Sequence, residues 1–362
     1  MKYFSKHFKK LDWILIISAL CLAGIGLLSI YSSSRGEGDF LNFKKQLIFF
    51  GIGFFLMILI SFFDWRTLRD DPRLILILYF LCLVSLFGLF FVPETRGIKG
   101  WYKIGPLSIN PIEFTKIILI ILLSKYFSMR HIELYRIRHI LLSGIYVLVP
   151  SVLIFLQPDL GQVAILVALW IAILAVSGIK IRHFLILCLV LFLILILAWS
   201  FLLMGYQKAR ILSFITPQLE PLGAGWSRAQ AKIAIGSGGI FGKGIGQGVQ
   251  TQGRFLPEPQ TDFIFSAIAE ETGLMGVSFL FVLFLILFWR IIKIASNAQS
   301  NFPRLFASGF GLLLALQIFI NIGMNLGIIP VVGIPLPLIS YGGSGLILTF
   351  IGFGILQSIK IH

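Results

Sequence analysis

One carboxylate stands where an aqueous segment meets an apolar one. Asp262 closes the polar stretch Leu256-Pro257-Glu258-Pro259-Gln260-Thr261-Asp262 and precedes the apolar run Phe263-Ile264-Phe265. Partial desolvation raises a carboxylate pKa and nearby cations lower it, so a group placed there can serve as a general base. The position also suits a helix-start Asp, favoured by the helix dipole by about 0.3–1 kcal/mol. The sequence permits both roles. Glu113 lies one helical turn before Lys116. Asn110-Pro111-Ile112-Glu113 reads as N-cap, first-turn Pro and third-position Glu, which gives Glu113 a structural role. An unpaired ammonium one turn into an apolar run is costly, and a Glu113–Lys116 pair facing a polar cavity relieves that cost.

The run Gly236-Ser237-Gly238-Gly239-Ile240-Phe241-Gly242-Lys243-Gly244-Ile245-Gly246-Gln247-Gly248 fits neither a P-loop nor a dinucleotide fingerprint, so no nucleotide is expected. It offers either backbone able to approach a ligand, with Lys243 nearby, or a tight turn against helices. Asp159, in Gln157-Pro158-Asp159-Leu160-Gly161-Gln162, is expected to cap a helix. Ser340-Tyr341-Gly342-Gly343-Ser344-Gly345 breaks an apolar stretch after Pro330, Pro335 and Pro337, and broken backbone at membrane depth is tolerated where it lines a cavity. Asn321 and Asn325, four apart, suit interhelical hydrogen bonds better than ligand contact. The five histidines form no metal pattern, nothing resembles a Ser-His-Asp arrangement, and Cys21, Cys82 and Cys188 read as buried apolar residues.

These groups must be positioned by membrane helices. The 362 residues are 58% hydrophobic and 12% charged, with a mean hydropathy of +0.97, against about 25% charged in soluble domains. That excludes an ordinary cytosolic enzyme, a disulfide scaffold and a disordered tail. By the length a bilayer requires, ten apolar runs are expected to span: residues 11–31, 47–63, 74–92, 112–127, 140–156, 162–178, 184–204, 263–289, 305–329 and 343–359. Continuous runs without alternation make them helices. The chain is therefore expected to be a single all-α, polytopic integral membrane domain over residues 1–362, with no cleavable signal peptide. A net charge of +15 points in such a protein to loop charge and not to nucleic acid. More than half of the 30 Lys and Arg fall in the shorter set of gaps that includes both ends, so both termini are expected to be cytoplasmic. The long interval 205–262 then lies outside, between the seventh and eighth helices. Its stretch 226–235 is expected to form a short interfacial helix. Arg96, Lys99, Lys103 and Lys116 in one outer gap, and Lys208, Arg210, Arg228, Lys232, Lys243 and Arg254 in the long one, suit a bound anion or, more plainly, solvated loops and lipid headgroups.

Taken in order along nearly the whole chain, several blocks resemble the SEDS family (shape, elongation, division and sporulation), and its RodA-type members in particular. They are Arg96-Gly97-Ile98-Lys99-Gly100-Trp101, Asn110-Pro111-Ile112-Glu113-Phe114-Thr115-Lys116, Gln157-Pro158-Asp159-Leu160-Gly161, Ala234-Ile235-Gly236-Ser237-Gly238-Gly239, Leu256-Pro257-Glu258 with Thr261-Asp262-Phe263-Ile264-Phe265, and Ile339-Ser340-Tyr341-Gly342-Gly343-Ser344. Asn110 stands where Gln is usual, Gln260 where His is common, Glu220-Pro221 for Asp-Pro and Trp226-Ser227 for Tyr-Gln. The resemblance implies a peptidoglycan glycosyltransferase of the bacterial cytoplasmic membrane. Such an enzyme polymerises lipid II into a growing glycan strand alongside a class B penicillin-binding protein, among membrane lipids. It also implies that Asp262 is the essential carboxylate and that Glu113 and Lys116 lie near the same cavity.

An α-linked donor and a β-1,4 product require inversion, hence one base for the acceptor hydroxyl and cations for the departing pyrophosphate. On this reading Asp262 is the base. Lys99, Arg96, Lys243 and Arg210, in that order, are candidates for the pyrophosphate, Ser340 is a further substrate contact, and a divalent cation (Mg or Mn) is a candidate cofactor of unknown site. A flippase using the same cavity, and a scaffold that recruits the crosslinking partner, are the alternative classes. Clustering of the site charges toward the outer face favours the enzyme, and short termini suit a role in elongation and rod shape.

Overall fold

The apolar runs fold as helices, and the residues at their ends explain where each starts and stops. The computed structural model describes residues 7–94, 99–105, 107–130, 137–205, 207–208, 212, 214 and 224–362. Helix α1 (Trp13–Glu37) starts at Asp12, whose carboxylate accepts from the Leu15 N–H, and ends at Gly38 in the left-handed region (φ 74°). Helix α2 (Leu41–Ser61) and the short α3 (Arg66–Asp70) follow. Asp71 caps α4 (Pro72–Gly88), whose proline takes a first-turn position where no N–H is needed. Then come α5 (Pro111–Arg130), α6 (Ile137–Phe155), α7 (Leu160–Val176) and α8 (Ile181–Leu197). Beyond them lie α9 (Ala224–Gly238), α10 (Val249–Gln252), α11 (Ile264–Ser296), α12 (Asn301–Leu326) and α13 (Gly343–Ile361).

Eight of these segments are long and apolar enough to cross a membrane. The expected fourth and sixth spans are helical too: α5 carries Glu113, Lys116 and Lys125, and α7 is apolar but only 17 residues long. The stretch 226–235, expected as a short helix, lies within α9. One element departs from an all-α reading. Strands β1 (Tyr102–Ile104) and β2 (Leu107–Ile109) pair antiparallel with Lys103 opposite Ser108, so the chain is nearly all helical rather than wholly so. A hairpin this short has no periodicity to betray it in the sequence, and its Gly105 sits at φ 60°.

Helix α12 is the most enclosed of the long apolar helices. It packs against α5, α7 and α11, while α13 lies along α2 and α11 lies against α1 and α9. Glycines permit the closest approaches: a methyl group on Gly53 of α2 would come within 2.7 Å of the Phe350 ring, and one on Gly354 of α13 within 2.8 Å of the Met57 carbonyl. At one end of the bundle Asp12 joins three helices. It accepts from Arg290 Nε of α11 at 3.0 Å and stands 3.5 Å from Lys360 Nζ of α13. Helix α8 differs from all of these, since no residue of its apolar stretch is buried.

Helix α11 is bent at Gly273 (φ 64°, ψ −164°), where the expected span shows no interruption. The glycine run folds onto that bend. Lys243 N–H donates to the Glu270 carbonyl and Gly244 N–H to the Glu271 carbonyl, both at 3.0 Å. A methyl group on Gly273 would come within 2.3 Å of Gly242 N. The run thus makes a tight turn against a helix.

Candidate active site

A cavity of about 690 Å³ lies where the hairpin, the starts of α5 and α7, the residues before α11, the middle of α12 and the segment before α13 converge. Its size falls within the roughly 300–1,000 Å³ typical of ligand sites. Asp262 lines it, partly exposed. Two amides fix its backbone: Nδ2 of Asn321 and of Asn325 donate to the Asp262 carbonyl at 3.1 and 2.9 Å. Asn325 Oδ1 in turn accepts from Ser266 Oγ at 2.6 Å, tying α12 to α11. Asn325 thus makes the interhelical bond its spacing suggests, to Ser266, whereas Asn321 bonds the loop carbonyls of Asp262 and Ile334, and both amides converge on the Asp262 backbone.

Glu113 also lines the cavity. Its Oε1 stands 2.5 Å from Lys116 Nζ, with the lysine wholly buried and the glutamate 13% exposed. Asn110 caps this helix by accepting from Ile112 N–H at 2.9 Å, so the capping motif and the ion pair coexist. Asp159, at the cavity edge, accepts from Gln162 N–H at 3.2 Å and caps α7.

The broken segment before α13 forms much of the wall. Ser340 lines the cavity, but its hydroxyl donates to the Thr261 carbonyl at 2.6 Å and accepts from Leu336 N–H at 2.8 Å. Tyr341 N–H donates to the Gln260 carbonyl at 2.8 Å, and Gln46 of α2 donates to the Ser340 carbonyl and accepts from Gly342 N–H. These contacts hold residues 260–262 against the wall. Burial pushes the Tyr341 phenol above its usual range, so it stays protonated at neutral pH. The same cause raises Tyr102, whose hydroxyl donates to the Ser85 carbonyl at 2.6 Å and anchors the hairpin to α4.

The structure brings together Asp262, Glu113 and Ser340 on one cavity, with Lys116 behind Glu113. It does not bring every cation there. Lys243 Nζ faces Glu270 Oε1 at 3.4 Å, and Lys99 Nζ stands 3.9 Å from Glu94 Oε1 and donates to the Phe90 carbonyl at 3.4 Å; neither lines the cavity. Arg96 and Arg210 lie outside the described residues. Lys103 does line it, opposite Ser108 on the hairpin. No three His, Cys, Asp or Glu come together as metal ligands among the described residues.

Sequence reasoning passed over Glu270 and Glu271. Glu270 is wholly buried and accepts from Gln250 N–H, Thr251 N–H and Thr251 Oγ1 at 2.8, 3.0 and 2.9 Å. Glu271 accepts from Gly246 N–H at 3.1 Å and from the Ser32 hydroxyl of α1. Two adjacent carboxylates inside an apolar run were the available signal, because such groups are expensive there unless they do something.

The family model for FtsW, RodA and SpoVE cell cycle proteins matches residues 12–362. The chain is 36% identical over 363 residues to stage V sporulation protein E of Bacillus subtilis, covering 96% of each. It is also 36% identical over 354 residues to peptidoglycan glycosyltransferase MrdB of Escherichia coli, covering 97% of this chain and 94% of that one. Among solved structures, a chain of a peptidoglycan synthase complex that coordinates polymerization and crosslinking superposes with a TM-score of 0.82 at 30% identity, covering 97% of both chains. The crystal structure of Thermus thermophilus rod shape determining protein RodA gives a TM-score of 0.71 at 29% identity, covering 97% of this chain and 96% of that one. A match of this extent, in sequence and in backbone, makes the chain a member of the FtsW, RodA and SpoVE family of cell cycle proteins.

Proposed function

We propose that this protein is a peptidoglycan glycosyltransferase, a multi-pass protein of the bacterial cytoplasmic membrane that polymerises lipid II into β-1,4 glycan at the outer face. The relatives named as peptidoglycan glycosyltransferases support the activity, and the apolar helices support the location. Ten spans, cytoplasmic termini and an external segment 205–262 are the topology this reading adopts. A class B penicillin-binding protein is its crosslinking partner, by analogy with the synthase complex.

The observation that carries the mechanism is the shared wall of Asp262, Glu113 and Lys103 in one cavity. Asp262 takes the proton of the acceptor 4-hydroxyl as that oxygen attacks the donor anomeric carbon. The bond from that carbon to the lipid diphosphate breaks, its electron pair leaves with the diphosphate, and the α linkage becomes β. Lys103 is the lining cation for the leaving group, with Arg96 and Lys99 on the segment that leads into the same hairpin. The Glu113–Lys116 pair brings little net charge, so its role is to hold the wall in shape.

The test is lipid II polymerisation by the purified complex. Asp262→Ala is expected to lower chain formation by about 100-fold or more, the usual range for a lost general base. Chain formation at the wild-type rate would remove Asp262 from the chemistry. Lipid II transfer across vesicles with no polymer from the wild type would replace the enzyme with a flippase.

A further inference from the structure

Two carboxamides in the cavity are not engaged by the fold. Gln162 of α7 and Gln317 of α12 both line it and are 4% and 5% exposed. Oε1 of Gln162 is buried with no hydrogen-bond partner. The Gln317 carboxamide makes no hydrogen bond to the described residues and is open to the cavity that it lines.

The two lie on helices that pack against each other. A methyl group on Gly309 of α12 would stand 3.1 Å from Ile173 near the end of α7. One on Gly161 at the start of α7 would stand 2.9 Å from the Val332 carbonyl, just beyond α12. The helices therefore run antiparallel, and both glutamines lie toward the end that holds Asp262. Gln317 is one turn before Asn321, which grips the Asp262 carbonyl, and a methyl group on Gly333, next to Val332, would be 3.6 Å from Asp262 Oδ2.

An uncharged amide offers one acceptor and two donors. An anion would use only the amide N–H groups and leave the oxygens, including the unpartnered Gln162 Oε1, unsatisfied, so a group that also donates suits this pair better than the diphosphate. A secondary amide carries both an N–H and a C=O and is matched by a carboxamide in either orientation. Leu336, Leu338 and Leu346 line the same cavity and supply apolar contact for a methyl group.

We propose that Gln162 and Gln317 form a specificity subsite for the acetamido group of an amino sugar. The inference rests on the glycosyltransferase reading and adds which part of the substrate these helices recognise. A site built to hydrogen-bond a group discriminates against an analogue lacking it, because its own polar atoms are then left unpaired.

The experiment compares kcat/KM of the purified complex for lipid II and for an analogue with neutral hydroxyl groups in place of the acetamido groups. Wild type is expected to prefer lipid II by at least about tenfold. In Gln162→Leu and Gln317→Leu that preference is expected to fall to within about threefold, through loss on lipid II with little change on the analogue. Gln162→Met and Gln317→Met, closer in shape, give the same readout if leucine prevents folding. A preference retained in active variants, or absent from the wild type, overturns the subsite and leaves the polymerase reading intact. A wild type that polymerises neither compound refutes the polymerase reading itself.

Discussion

At the scale of single residues, the site is a set of groups whose burial is tolerable only in company. Lys116 is fully buried and Glu113 Oε1 is its partner at 2.5 Å. Removing one member of a buried pair strands the other charge, at a cost of about 3–5 kcal/mol. Glu113→Ala is therefore expected to lower the unfolding temperature in detergent strongly, and Glu113→Ala with Lys116→Met to recover much of the loss. Equal destabilisation by the single and double variants would show that the pair is not coupled. Much of this was legible in sequence. Asp262 sits at a polar–apolar boundary, and Glu113 and Lys116 are one turn apart. What periodicity cannot show is which way a free side chain turns. Lys243 and Lys99, conspicuous as outer cations, face Glu270 and Glu94 instead, while Lys103 reaches the cavity only because an unforeseen hairpin carries it there.

At the scale of elements, the positions of the long helices followed from hydrophobic run length, but the bend in α11 did not. Gly273 looks like any glycine in an apolar run, yet its φ of 64° lets the helix turn beneath the segment 239–252. An alanine there is strained and also clashes with Gly242 N and the Ile240 carbonyl. Gly273→Ala is expected to lower thermal stability by about 1–3 kcal/mol or more and to open segment 239–252 to proteolysis, although it touches no cavity residue. Wild-type protease resistance and stability would contradict the account of the bend. Glu270 and Glu271 explain why that segment stays closed: their oxygens collect N–H groups from residues 246–251 that otherwise lack helix or strand partners. The adjacent carboxylates are visible in the sequence, but their partners at residues 246–251 are not, because the pairing depends on how that segment folds back onto the helix.

For the whole molecule, the distribution of Lys and Arg sets direction while the packing of helices sets the cavity. If the termini are cytoplasmic, the turn between α11 and α12 near Asn297 lies inside and Phe241 lies outside. In a background without Cys21, Cys82 and Cys188, a cysteine at Phe241 is expected to react with an impermeant maleimide in intact cells. A cysteine at Asn297 is expected to react only after lysis, and the reverse pattern would invert the topology. The fold class was readable because composition alone demands lipid-facing helices, and the exposed apolar surface of α8 is its plainest expression. Convergence of several distant chain segments on one cavity was not readable, since it depends on helix contacts between residues far apart in sequence. The most direct measurement uses fluorescent lipid II with purified wild-type and Asp262→Asn complexes, recording binding and glycan chain formation on the same samples. The account predicts binding within about threefold of wild type and chain formation reduced by about 100-fold or more, because only proton removal is lost. Chain formation at the wild-type rate, or loss of binding as large as the loss of chains, would contradict it.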